Sequence, residues 1–154
     1  MAAPDLIVRE ARFADLAAIV ALFAADKLGG HDDTDDPAAL QAYAAAFAEI
    51  AASPCDTLYV AESGEAVVGT FQVTMTRTMT GRGGLLCTVE AVQTRADRRS
   101  EGIGAAMMAH AIAIARARGA RLVQLMSNKQ RTDAHRFYER LGFTRSHEGF
   151  KLKL

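Results

Sequence analysis

Between residues 95 and 104 the chain reads Arg95-Ala96-Asp97-Arg98-Arg99-Ser100-Glu101-Gly102-Ile103-Gly104. Three guanidinium groups and two glycines thus stand at the start of an apolar repeat at Ile103, Met107, Ala111 and Ile114. Those spacings predict a helix of about fifteen residues, and the β-type run from Leu85 to Thr94 predicts a strand leading into the turn. The first N–H groups of such a helix have no partner within it, and the helix dipole makes that end positive, so the turn is suited to an anion. Gly102 and Gly104 put no Cβ between the backbone and an oxygen atom. Common phosphate loops fit poorly. There is no Gly-x-x-x-x-Gly-Lys-Ser/Thr run, and the third glycine of a Gly-x-Gly-x-x-Gly pattern would be Met107. On these residues alone, an anion site and a plain strand-helix turn both remain open.

Glu90 is the lone carboxylate in the run Leu85–Thr94. Strand alternation puts Glu90 and Val92 on one face, where burial would raise the carboxyl toward the range of a working base. Pairing with an arginine is the alternative. His31 stands beside Asp32, Asp33, Asp35 and Asp36, but the spacing is not that of a closed metal site. This stretch reads as a flexible acidic loop, and no metal is expected. His135 reads as a helix-surface residue near Asp133, while His110 and His147 carry no signal. Cys55 and Cys87 are too few and too distant for a disulfide framework or a zinc site, and read as reduced, packed thiols.

The elements that must carry these residues follow in order. Leu6–Val8 predicts a strand, and Phe13, Leu16, Val20 and Phe23 predict a helix over about 13–26, stopped by Gly29-Gly30. Asp36 can cap the next helix with Pro37 in its first position, and Leu40, Tyr43, Phe47 and Ile50 form its apolar stripe up to Ser53-Pro54. Strands are expected at Thr57–Ala61 and Ala66–Met75 around a turn at Ser63-Gly64, and at Leu85–Thr94 after Gly81–Gly84. Arg116, Arg118 and Gly119 close the helix from Ile103. A strand at Leu122–Met126 and a helix through Ala134, Phe137, Tyr138 and Leu141 come next, and a final hairpin is expected from Phe143–Ser146 and Phe150–Leu154. The order β-α-α-β-β-β-α-β-α-β-β mixes hairpins with helical crossovers and so implies an α/β (α+β) domain with a mixed sheet.

At 154 residues the chain is expected to form one domain, 1–154, and its 50% hydrophobic and 23% charged residues exclude wholesale disorder. The zero net charge conceals an asymmetry: residues 1–77 hold 4 Lys/Arg against 12 Asp/Glu, and residues 78–154 hold 14 against 6. A polyphosphate suits the second part and an amine the first. The arginines are not interleaved with exposed aromatics, so nucleic acid is not an expected partner. No run reaches the length of a membrane span, and Asp5, Glu10 and Asp15 stand where a signal peptide would be basic, so a cytoplasmic, membrane-free protein is expected.

Arg99-Ser100-Glu101-Gly102-Ile103-Gly104 resembles the Arg/Gln-x-x-Gly-x-Gly/Ala motif of the GNAT family of N-acetyltransferases. Asp133-Ala134-His135-Arg136-Phe137-Tyr138-Glu139-Arg140-Leu141-Gly142-Phe143 resembles that family's later motif, a helix ending in Phe-Tyr-Glu-x-Leu-Gly-Phe. The order of elements also resembles the GNAT fold, a mixed, mostly antiparallel sheet with helices on both faces. The resemblance implies acetyl-CoA as co-substrate, with its pyrophosphate on the amides of Arg99, Ser100, Glu101, Gly102, Ile103, Gly104 and Ala105. It implies that the pantetheine arm pairs with the backbone of Val92, Gln93 and Thr94, with the thioester in a gap before Leu122–Met126 and the Val92 N–H as oxyanion donor. The family often has Asn where this chain has Arg131, and Asn128 is the candidate substitute. It often has Gly where this chain has Ser100. Homodimers are common in the family and are the default here.

Direct attack of an amine on a thioester needs a base for the amine proton, a donor for the oxyanion and an acid for the departing thiolate. The Tyr138 phenol stays protonated at neutral pH and suits the last role, as the motif also implies, and Glu90 is the candidate base, acting directly or through water. The acidic stretch Asp26–Asp36 favours a cationic small-molecule amine as acceptor. Ser146-His147-x-x-Phe150, together with the Asp133–Tyr138 segment, resembles aminoalkylphosphonate acetyltransferases, whose acceptor is anionic, so acceptor identity stays open. The alternative function is a non-catalytic acyl-CoA-binding module.

Overall fold

The computed structural model describes residues 5–29 and 31–154. Its sheet has five strands in sequence order: β1 (Leu6–Glu10), β2 (Asp56–Ser63), β3 (Ala66–Arg77), β4 (Leu85–Thr94) and β5 (Leu122–Leu125). The first four pair antiparallel, and β5 runs parallel to β4. Ser63-Gly64 turns β2 into β3 with Gly64 at φ 62°, and β3 reaches β4 through α3 (Thr80–Gly83), a single turn in which Gly81 and Arg82 are left-handed.

Helices lie on both faces. The buried side chains of α4 (Ile103–Ala117), namely Ile103, Met107, Met108, Ala111 and Ala115, pack with Phe71, Val73, Met75, Cys87 and Val89 in one core. At roughly 25 cal/mol per Å² of apolar surface removed from water, each large member of this cluster contributes about 1.5–3 kcal/mol. The other helices are α1 (Leu16–Ala24), α2 (Leu40–Ala52) and α5 (Thr132–Arg140). Leu16, Ile19, Val20 and Leu22 of α1 are buried outside the α4 cluster. Asp36 caps the turn ahead of α2, its Oδ1 accepting from the Ala38 N–H at 2.9 Å with Pro37 next in line. No helix among the described residues is long and apolar enough to cross a membrane.

Three expectations need correction. The first helix splits into a short 3₁₀ turn at Phe13–Asp15 and α1, which ends at Ala24 rather than near residue 26; Gly30, half of the expected stop, lies outside the described residues. The stretch 31–36 is pinned rather than loose. The Tyr43 hydroxyl donates to Asp33 Oδ1 at 2.8 Å and accepts from the Thr34 N–H at 3.2 Å. The C-terminal hairpin does not form as strands: from Phe143 to Leu154 no residue joins the sheet, and Phe150 and Leu152 are 94% and 86% exposed. Apolar alternation specifies a strand only where a partner edge takes its N–H and C=O groups and a core takes its side chains.

Candidate active site beside the open edge of β4

The parting of β4 from β5 positions the site. β5 pairs with β4 only from Leu86 to Val89, opposite Leu122 to Leu125. Beyond Val89, β4 runs on through Glu90–Thr94 with β3 along one edge and, among the described residues, no strand along the other. A bulge bends it there. Thr70 faces Gln93 and Gln72 faces Glu90, so Phe71 alone stands opposite Ala91 and Val92, and Ala91 takes φ 51°. An extra residue in one strand turns the backbone and breaks the alternation of faces. The shared face expected for Glu90 and Val92 is therefore not present. Glu90 is exposed, while Val92 is half-buried against the core. The burial that the alternation implied for Glu90 is thus absent, and no arginine pairs with it among the described residues.

The turn after β4 is shaped by left-handed residues. Gly102, the residue before α4, has φ 80°, and Ser100 has φ 67°. Gly adopts such a φ without steric cost, whereas a residue with a Cβ does so at about 1–2 kcal/mol. That is the physical sense of a glycine at the position Ser100 holds here. Ala106 donates to the Gly102 carbonyl at 3.0 Å, and the amides of Ile103, Gly104 and Ala105 have no acceptor among the described residues. Unpaired N–H groups following alternating backbone hands make a concave cradle for an anion. Ile103 buries its side chain in the core and so contributes backbone only. Arg98 Nε donates to Glu101 at 2.7 Å and Arg95 Nε to Asp97 at 2.7 Å, while Arg99 lines a cleft of about 270 Å³ with Leu22, Asp26, Gln93 and Thr94.

Gly104 also has a packing role that its motif did not suggest. A Cβ there would lie 3.1 Å from Phe137 Cζ, so this glycine lets α5 dock on the first turn of α4. Phe137 and Tyr138 meet edge-on with ring centroids 5.1 Å apart, and Phe143 closes on Tyr138 at 5.9 Å. Packed this way, the Tyr138 phenol is pushed above its ordinary range by burial, which the nearby Arg131 cation partly offsets. Asn128 is exposed, and its polar atoms serve its own turn. Its Oδ1 accepts from the Gln130 N–H at 3.0 Å, and its carbonyl accepts from the Arg131 N–H at 2.9 Å and from His135 Nε2 at 3.0 Å. A tie that the sequence reading missed joins Gln93 Nε2 and the Arg131 guanidinium to one carboxylate, Asp26. Its only sequence signal was the departure at Arg131, where the motif leads one to expect an amide.

The model of the Acetyltransferase (GNAT) family matches residues 16–143, which include the turn, the open edge and Tyr138. The chain belongs to the GNAT family. A structure named as a transcriptional regulator from Bacillus halodurans is 41% identical, with a TM-score of 0.93 over 97% of this chain and 99% of that one. An aminoglycoside N-acetyltransferase in complex with CoA shares the GNAT fold at 14% identity, with a TM-score of 0.79 over 97% of this chain and 94% of that one. An aminoalkylphosphonate N-acetyltransferase of Salmonella typhimurium is 46% identical over 52 residues, which are 34% of this chain and 34% of that protein. The matched stretch thus spans about a third of that curated relative.

Proposed function

We propose that this protein transfers the acetyl group of acetyl-CoA to a primary amine of a small molecule by direct attack. One observation carries the reading: the edge of β4 from Glu90 to Thr94, unpaired among the described residues, leads through one turn to the open amides of Ile103–Ala105, and the half-buried Tyr138 belongs to the helix docked on that same turn. The residues fit the co-substrate. The amides and Arg99 suit a diphosphate, and the free strand edge suits the amide-bearing pantetheine arm. Complexes of CoA with other proteins of this fold support the assignment of the donor.

In this reading the amine nitrogen attacks the thioester carbon while the Val92 N–H donates to the developing oxyanion. The carbon–sulfur bond breaks, Tyr138 gives its proton to the departing thiolate, and the proton lost by the amine passes to Glu90 directly or through water. Exposure of Glu90 suits the water route. The single domain 1–154, the cytoplasmic setting and the homodimer belong to the same proposal. The name of the Bacillus halodurans relative gives weight to a second reading, an acyl-CoA-binding module without turnover. One assay separates the two. Acetyl-CoA is incubated with a panel of cationic and phosphonate-bearing amines, and free thiol and a mass gain of one acetyl group on the amine are followed. Turnover with any amine is expected; tight CoA binding with no thiol release from any of them would favour the module.

A further inference from the structure

Asp26 lies just past α1, 67 residues before Gln93 and 105 before Arg131, yet its Oδ2 accepts from both side chains. The Gln93 Nε2 donor is 2.6 Å away. The Asp26 side chain is only 11% exposed and that of Arg131 25%. Three segments therefore meet on one carboxylate: the end of α1, the open-edged stretch of β4 and the residue that leads into α5. The chain folds back over this point, since a Cβ on Gly29 would lie 2.7 Å from Asp26 Oδ2. Burial by itself would raise the Asp26 carboxyl, but the Arg131 and Gln93 hydrogen bonds outweigh it and hold the group below the usual carboxylate range. Asp26 is thus an ionised hub at neutral pH.

Arg131 faces two ways. It is bound by Asp26, and its positive charge acts on Tyr138 two turns along α5. Around the phenol, the Phe137 and Phe143 rings carry no charge, and His135 turns its Nε2 to the Asn128 carbonyl. Glu90 on β4 is exposed, and the Arg131 cation is the charge that offsets part of the burial effect on the phenol. We propose that Asp26 is a positioning residue for the acetyl transfer. By holding Gln93 and Arg131 together, it fixes the helix of Tyr138 against the open edge of β4 and neutralises the cation that acts on the phenol. This rests on the acetyltransferase reading above and adds to it a residue that acts through Gln93 and Arg131.

The test compares wild type with Asp26→Asn and Arg131→Gln, each also carrying Tyr138→Phe as a blank. The chain has three tyrosines, so the ultraviolet difference against the blank isolates the Tyr138 phenol during an alkaline titration. Asp26→Asn leaves the Arg131 charge uncompensated and is expected to move the phenol midpoint to lower pH. Arg131→Gln removes that charge and is expected to move it to higher pH. Midpoints that stay put, or that move in the same direction, would overturn the proposal. In turnover, Asp26→Asn is expected to lower kcat about tenfold with little change in KM for acetyl-CoA, and to bring the basic limb of the pH profile down with the phenol. An Asp26→Asn enzyme with wild-type kcat and limb would also overturn it. Should Asp26→Asn not fold, the upward shift in Arg131→Gln alone decides. A wild type without turnover would defeat the acetyltransferase reading, and with it the transfer role of Asp26. The titration reads the Asp26–Arg131–Tyr138 link independently of turnover, so the two failures are told apart.

Discussion

From Ser100 to Ala105 the candidate site is made of backbone, whereas its other side is made of side chains that come together from just past α1, from β4 and from the residue before α5. The turn depends on two left-handed residues and three open amides within a few positions of one another. The proposed acyl-transfer side joins a carboxylate, an amide and a guanidinium separated by up to 105 residues, beside a helix seated by the contact of Phe137 with Gly104. A fault in the first region stays local and should appear as lost CoA affinity. A fault in the second passes between elements and should appear in turnover, in pH dependence and in stability.

Tyr138→Phe probes the second region with the largest expected effect. Loss of a general acid lowers kcat by about 10²-fold or more, with KM for acetyl-CoA nearly unchanged. Steady-state kinetics in which KM rises and kcat holds would make Tyr138 a packing residue and dissolve the contrast. Gly102→Val probes the first region. A β-branched residue at φ 80° displaces the cradle, so CoA affinity measured by calorimetry should fall at least about tenfold, or 1.4 kcal/mol. Wild-type affinity in that variant would mean that the turn does not hold the diphosphate.

Two smaller effects sharpen the same comparison. Asp26→Asn should lower unfolding stability by about 1–2 kcal/mol at neutral pH, since it removes a charge-assisted pair. The folded Asp26 carboxyl lies below its unfolded value, so this stabilisation is present above the unfolded carboxylate range and is lost as pH falls through the folded value. Denaturant melts should therefore show the gap between wild type and variant closing in acid, and a gap unchanged at low pH would contradict the ion pair. Ser100→Gly should raise stability by about 0.5–1 kcal/mol, because relief of the left-handed strain exceeds the added chain entropy. A loss of stability there would show that the Ser100 side chain has a role of its own.

Local encoding explains what the sequence made readable. The helix from Ile103, the glycine at its start and the Asp36-Pro37 cap are set by neighbours a few residues apart, and each is found where the pattern put it. The bulge at Ala91 has no such signal. Alanine is an ordinary strand residue, and the extra residue shows only in the register against β3. The assumed common face of Glu90 and Val92 failed for that reason. The Asp26 tie was hidden in the same way, because one aspartate at the edge of an acidic stretch carries nothing to single it out from Asp32 or Asp33. The packing reason for Gly104 was hidden as well, since the ring that its missing Cβ makes room for lies 33 residues downstream at Phe137.

The central claim is that the open edge of β4 and the amides at the start of α4 form one continuous seat for CoA. Amide chemical shifts recorded during titration with CoA test it most directly. The largest changes are expected together at Val92–Thr94 and at Ser100–Ala105, saturating at one CoA per chain. Changes concentrated elsewhere, with both of these segments silent, would contradict the account.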